Sequence, residues 1–140
     1  MKALIVGYGS IGRRHIENLS KLKNIEIIIY SKRKNDKFLK QNKCIIYSSI
    51  RDCLKEKPDF AIITNETRFH IRSALTLAKS GIHLLIEKPL SDNLRNTKKL
   101  FEIAEDIDFS ELCITSKAKI QKDDSNEINV ITEKAKGNKC

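Results

Sequence analysis

Six residues near the N-terminus constrain this chain more than any other stretch: Gly7-Tyr8-Gly9-Ser10-Ile11-Gly12. The apolar run Lys2-Ala3-Leu4-Ile5-Val6 leads straight into them, and a helix-like stretch from Arg13 to Leu22 follows. A Gly-x-Gly-x-x-Gly pattern alone is weak. Between a strand and a helix, each glycine acquires a task. Gly7 allows the tight turn out of the strand, Gly9 lets the backbone approach a pyrophosphate, and Gly12 lets helix and strand pack closely. The helix start, with Ser10 and Ile11, then offers free N–H groups and a positive dipole end to the phosphates. The competing reading is a glycine-rich β-turn without a ligand. The strand–glycine–helix context favours a dinucleotide.

The rest of the chain alternates strand and helix. Ile25–Tyr30 is β-branched and apolar, as a strand buried on both faces should be. A charged loop, with room for a short helix, covers Ser31–Asn42, and Cys44–Tyr47 reads as a third strand. Ser48 or Ser49 is placed to cap a helix running to about Glu56. Pro58 punctuates, and Phe60–Thr64 is the fourth strand. Ile71, Ala74, Leu75 and Ala78 have helical spacing, which predicts a helix over Thr67–Ser80 with Gly81 as its stop. Ile82–Ile86 is the fifth strand. Ser91 or Asp92 is expected to cap a helix reaching about Asp106, with Leu94, Leu100, Ile103 and Ala104 on its apolar side. This order predicts an α/β fold: a doubly wound parallel sheet with right-handed crossovers and helices on both faces. Beyond Asp106 the pattern weakens. Glu111–Thr115 allows one more short strand, giving a Rossmann-type domain over residues 1–115. Residues 116–140 read as a polar, flexible tail.

Composition narrows the class. With 140 residues the chain can bury one real core. It is 40% hydrophobic and 32% charged, with mean hydropathy −0.40, the profile of a soluble globular protein. No apolar run approaches the roughly 20 residues of a membrane span, and no cleavable leader precedes the first strand. A cytoplasmic location is expected. The four cysteines, Cys44, Cys53, Cys113 and Cys140, form no Cys-x-x-Cys pair and read as reduced thiols, with no metal site expected. The net charge of +9 raises a nucleic-acid partner. The basic residues are, however, spread along the chain among acidic ones, and no aromatic residues interleave with them to stack bases. A lysine-rich solvated surface is the better reading.

Three segments carry chemistry besides the glycine loop's own fold. The residue after the second strand chooses the cofactor: an acid holds the ribose hydroxyls of NAD, a basic residue accommodates the 2′-phosphate of NADP. Here the chain has Ser31-Lys32-Arg33-Lys34, with Asp36 the first acid. Ser31 can donate a hydrogen bond and Lys32 or Arg33 can pair with phosphate, so NADP is expected, with NAD possible. The same stretch also fits a solvated basic loop. Glu87-Lys88-Pro89 follows the fifth strand, where ligands of such sheets bind. A lysine there can position a substrate hydroxyl or assist its proton transfer; a surface lysine before a helix-starting proline is the plainer reading. Thr64-Asn65-Glu66-Thr67-Arg68-Phe69-His70 follows the fourth strand. Asn65 and Thr67 can bond a ribose or cap the helix, and His70 can face the crevice or pack structurally.

Together, Gly7-x-Gly9-x-x-Gly12-Arg13-Arg14-His15, Thr64–His70 and Glu87-Lys88-Pro89 resemble the N-terminal domain of the Gfo/Idh/MocA oxidoreductases, over about residues 1–106. The resemblance implies a Rossmann domain binding NAD or NADP, and hydride transfer with a sugar, polyol or related carbonyl compound. It makes Lys88 the lysine beside substrate and nicotinamide and gives Glu87 the local geometry. Thr64, Asn65, Thr67 and His70 become cofactor-side residues, and their pattern looks most like members acting on sugars destined for surface polysaccharides. Family enzymes carry a second α/β domain that holds the sugar and supplies a histidine acid or base. Here all three histidines, His15, His70 and His83, lie in the first 83 residues. The expectation is therefore a truncated or frame-shifted reading of a longer gene. Its substrate site would be completed by another subunit or by self-association, or else the chain is a dinucleotide-binding module without chemistry.

Overall fold

The computed structural model describes residues 1–32, 36–93 and 95–106, and beyond them the strands within 112–132. Its strands are β1 (Lys2–Val6), β2 (Glu26–Tyr30), β3 (Ile45–Tyr47), β4 (Phe60–Ile63), β5 (His83–Ile86) and β6 (Leu112–Ile114). They form one parallel sheet in the order β3-β2-β1-β4-β5-β6. The helices are α1 (Ser10–Leu19), α2 (Lys37–Gln41), α3 (Ile50–Lys55), α4 (His70–Ala78) and α5 (Thr97–Asp106). The doubly wound sheet expected from the alternating pattern is therefore present.

Strands buried on both faces need apolar side chains at consecutive positions. In β1, Leu4 and Val6 point into one core with Ile28, Ala61, Ile63, Ala74 and Leu77, while Ile5 points into the other with Ile16, Ile29, Leu39 and Ile62. The first core lies under α3, α4 and α5, and the second under α1 and α2. Each fully buried Leu or Ile contributes about 1.5–3 kcal/mol, so this two-sided burial is what holds the sheet central.

Register sets the working edge. Tyr30 pairs with Val6, Val6 with Ile63, and Ile63 with Ile86. The residues that follow these strands (Ser31, Gly7, Thr64 and Glu87) thus stand along one carboxyl edge. The strand order reverses between β1 and β4, which is where ligands of open α/β sheets bind.

Two helix starts differ from expectation. The stretch from Ser91 is a series of local turns, and α5 begins only at Thr97. The Ser91 hydroxyl accepts from the Asn93 N–H at 3.2 Å, the Asn93 side-chain Oδ1 accepts from the Arg95 N–H at 2.9 Å, and Asn96 is left-handed with φ 62°. Short polar side chains here satisfy the backbone better than a helix turn would. Leu94 lies outside the described residues. The Thr67–Ser80 helix opens as a 3₁₀ turn over Thr67–Phe69 before α4 begins at His70. Ser49 does occupy the position before α3, but its side chain makes no capping hydrogen bond. Gly81 ends the α4 region with φ 72°, as a helix stop requires. Within the stretch expected to be a tail, β7 (Ala118–Lys122) and β8 (Ile128–Thr132) pair antiparallel. Among the described residues no helix is long and apolar enough to cross a membrane.

Candidate functional site

The glycine loop is shaped by contacts that only glycine permits. Gly7 has φ 105°, and a Cβ there would stand 2.6 Å from the Asn65 backbone. A Cβ on Gly12 would stand 2.5 Å from the Gly7 carbonyl oxygen and 3.0 Å from the Thr64 hydroxyl. Gly9 faces open space, with nothing within 4 Å of where its Cβ would be. Two glycines therefore bring β1, α1 and the loop after β4 together, and the third leaves room above the backbone. Gly9 also occupies the cap position of α1 without a side chain to cap it, and the first turn holds no acidic residue. The N–H groups of that turn remain available to an anion, and the helix dipole favours one. These features fit the pyrophosphate of a dinucleotide.

Thr64 turns inward to the loop. Its hydroxyl donates to the Gly7 carbonyl at 3.0 Å, with the Val6 carbonyl at 3.3 Å. Asn65 donates through Nδ2 to the Ser73 hydroxyl at 3.0 Å, while its buried Oδ1 has no hydrogen-bond partner among the described residues. A buried carbonyl oxygen of this kind wants a donor. Thr67 is half-buried in the 3₁₀ turn.

His70 is 2% exposed. Its Nε2 lies 2.8 Å from the Asn65 carbonyl and its Nδ1 lies 3.0 Å from the Pro89 carbonyl. Both ring nitrogens face main-chain carbonyl oxygens, and a ring N–H donates to one of them. The side chain thus ties the loop after β4 to the loop after β5 from beneath the crevice, with both nitrogens engaged by backbone. The Lys88–Pro89 peptide bond is cis. Lys88 is exposed at this edge.

Glu87 continues β5 through its N–H, which donates to the Ile63 carbonyl at 3.0 Å. Its carboxylate accepts from His15 Nε2 at 2.7 Å, both side chains being mostly buried. His15 had no role in the sequence reading beyond its place in the motif. Its position three residues after Gly12 was the available clue, but the partner lies 72 residues away.

At the other end of the edge, Ser31 is half-buried and its N–H donates to the Tyr47 carbonyl at 2.9 Å. Lys32 is exposed, and Arg33 lies outside the described residues. A cluster not anticipated from the sequence joins Tyr8, Arg13, Asp36 and Phe38. Tyr8 stacks on Phe38 with ring centroids 6.3 Å apart, and the Arg13 guanidinium lies 4.2 Å over the Phe38 ring. Asp36 caps α2 by accepting from the Phe38 N–H at 2.8 Å. Burial, then the neighbouring Asp36 carboxylate, holds the Tyr8 hydroxyl above the usual phenol range; that hydroxyl is enclosed, with no hydrogen-bond partner among the described residues. Burial pushes the Asp36 carboxyl up, but Tyr8, the backbone N–H groups of Phe38 and Leu39, and the Arg13 charge outweigh it and leave it below the usual range.

Elsewhere the chemistry is quiet. Burial pushes the thiols of Cys44 and Cys53 up to about 11, so both are poor nucleophiles. No group of three or more metal-ligating side chains occurs among the described residues. An open hollow lined by Ser20, Leu22, Ile25 and Asn42 lies away from the carboxyl edge and carries none of the motif residues.

A segment of 63 residues, 45% of this chain, is 49% identical to isoleucine–tRNA ligase of Pelagibacter ubique (strain HTCC1062), but covers 7% of that enzyme. Among solved structures, UDP-N-acetylglucosamine 3-dehydrogenase GnnA from Acidithiobacillus ferrooxidans superposes with TM-score 0.69 at 23% identity, over 81% of this chain and 37% of that one. GenD2 from gentamicin A biosynthesis, in complex with NAD, gives TM-score 0.67 at 18% identity, over 77% and 32%. A putative NADPH-dependent oxidoreductase from Desulfitobacterium hafniense gives 0.68 at 22%, over 76% and 32%. At these identities the likenesses show the fold, and this chain spans about a third of those proteins' length. Residues 1–108 match the family described as "Oxidoreductase family, NAD-binding Rossmann fold". With the glycine cradle, the switch point and the Glu87-Lys88-Pro89 loop on one edge, the chain belongs to the Gfo/Idh/MocA oxidoreductases and comprises their nicotinamide-dinucleotide-binding Rossmann domain.

Proposed function

We propose that this chain is the cofactor-binding part of an NADP-preferring dehydrogenase acting on a sugar or polyol, with Lys88 as its catalytic lysine. The observation that carries the reading is the shared carboxyl edge. Strand register brings the glycine loop, Asn65 and Glu87-Lys88 to one crevice from three distant parts of the sequence.

In this reading the first-turn N–H groups around Ser10 and Ile11 hold the pyrophosphate over Gly7, Gly9 and Gly12. Ser31, Lys32 and Arg33 meet the adenosine 2′-substituent. Thr64 keeps the loop shape, Asn65 Oδ1 supplies an acceptor to the nicotinamide ribose side, and Thr67 lines the same loop. His70 acts beneath them. Bound nicotinamide accepts or returns a hydride; Lys88 orients the substrate hydroxyl and handles its proton. Substrate would be completed by further protein, since the fold neighbours are about three times longer. The names of two of those neighbours concern sugar compounds, which supports the substrate class. The neighbours include one bound to NAD and one described as NADPH-dependent; the basic run after β2 supports NADP here. The local likeness to isoleucine–tRNA ligase covers too little of that enzyme to bring its activity here.

The test is titration of the chain with NADPH and with NADH, following nicotinamide emission; the chain has no Trp to interfere. Tighter NADPH binding is expected. Equal or tighter NADH binding would overturn the NADP assignment. Sugar-dependent NADPH formation, abolished by Lys88→Ala, would establish the activity; binding without turnover would leave a dinucleotide-binding module.

A further inference from the structure

We infer that His15 is a positioning residue for Lys88, acting through Glu87. This rests on the reading of Lys88 as the lysine at the nicotinamide. The residues flanking Lys88 are contacted by histidines from different helices, one through a side chain and one through the main chain. On one side His15 Nε2 of α1 donates to the Glu87 carboxylate at 2.7 Å. On the other, His70 Nδ1 faces the Pro89 carbonyl at 3.0 Å. Glu87 has its main chain already fixed by the Ile63 carbonyl. Its side chain adds a second restraint on the segment that carries Lys88.

The geometry selects His15 as more than a structural contact. It lies on the helix whose first turn receives the phosphates, one turn after Gly12. Displacement of that helix is transmitted to Glu87 through one short hydrogen bond to a charged acceptor, the stronger kind. The pair is also mostly shielded, with side-chain exposures of 22% and 19%, so water competes weakly. Lys88 itself is exposed, and ordering a long lysine costs rotamer freedom; a fixed Glu87 beside it lowers that cost.

The experiment measures acetic anhydride labelling rates of individual lysines by mass spectrometry, on the whole chain, with and without NADPH. Wild type is compared with His15→Ala and His15→Gln; glutamine places an N–H donor near the position of Nε2. Exposed Lys55 and Lys79 serve as internal references. Without NADPH, His15→Ala is expected to change the Lys88 rate relative to the references, and His15→Gln to restore it. An unchanged Lys88 rate in His15→Ala overturns the inference, and so does a change that His15→Gln fails to restore. Protection of wild-type Lys88 by NADPH reports separately on the site reading. If that protection is missing, Lys88 is not at the nicotinamide, while the cofactor-free rates still decide whether His15 positions it.

Discussion

The two halves of the carboxyl edge are built on different physical terms. The half over β1 and β2, with Tyr8, Arg13, Asp36 and Phe38, is assembled from mostly half-buried side chains through a ring stack, a cation over a ring and a helix cap. The half over β4 and β5, with Asn65, His70, Glu87 and Pro89, is assembled from polar contacts largely out of water. Such stacking tolerates small shifts at little cost. An enclosed hydrogen bond does not, because a buried partner left alone has no water to turn to. The comparison teaches where each task can sit. Recognition of an adenosine can be compliant, whereas a lysine that must meet a reacting carbon requires a stiff frame.

The seam between the halves gives the largest expected effect. Gly12→Ala sets a Cβ 2.5 Å from the Gly7 carbonyl. Backbone must move, at a cost of about 3 kcal/mol, and NADPH binding should vanish from the emission titration. Retained binding would show that the seam is softer than its geometry. Next, His70→Ala removes the buried ring that bridges the Asn65 and Pro89 carbonyls. A loss of about 3 kcal/mol in the urea-unfolding free energy is expected. Phe38→Ala, on the compliant side, should cost about 1 kcal/mol and weaken NADPH and NADH alike. Were Phe38→Ala to cost as much as His70→Ala, the contrast between the halves would be gone.

The smallest effect is one of pH. Asp36 has its carboxyl held below the usual range in the folded chain, with burial outweighed by Tyr8, backbone N–H groups and Arg13. Folding then favours the ionised form. The stabilisation is complete above the unfolded carboxyl's ordinary value and is lost as pH falls through the lowered folded one. Melting temperature followed across the acid range should therefore fall less steeply in Asp36→Asn. Identical profiles would remove Asp36 from the acid response of this half.

Much of the fold was legible in the residues. Runs such as Ile27-Ile28-Ile29 and Ala61-Ile62-Ile63 have no polar alternation, so they had to be covered on both faces, and their order implied parallel strands. The start of α5 was not legible, because Ser91 and Asn93 cap as readily as they turn; their choice depends on backbone geometry around Asn96. The candidate site was legible as three motifs, not as contacts. The spacing left His70 open between facing the crevice and packing structurally; in the fold Thr64 bonds the glycine loop and His70 has both nitrogens against main-chain oxygens. Nothing in local spacing distinguishes a side chain that lines a crevice from one that braces it.

What the sequence alone determined is the alternation of strands and helices, the phosphate-binding turn and the family. These depend on local terms: apolar periodicity, glycine freedom and the chemistry of short motifs. What only the tertiary structure decided is who holds whom. His15 meets Glu87 across 72 residues, Arg13 covers Phe38, and Gly12 lies against Gly7 and Thr64. Such pairings depend on sheet register and helix placement, which are set by burial of the whole core at once; no single stretch of the chain contains that information.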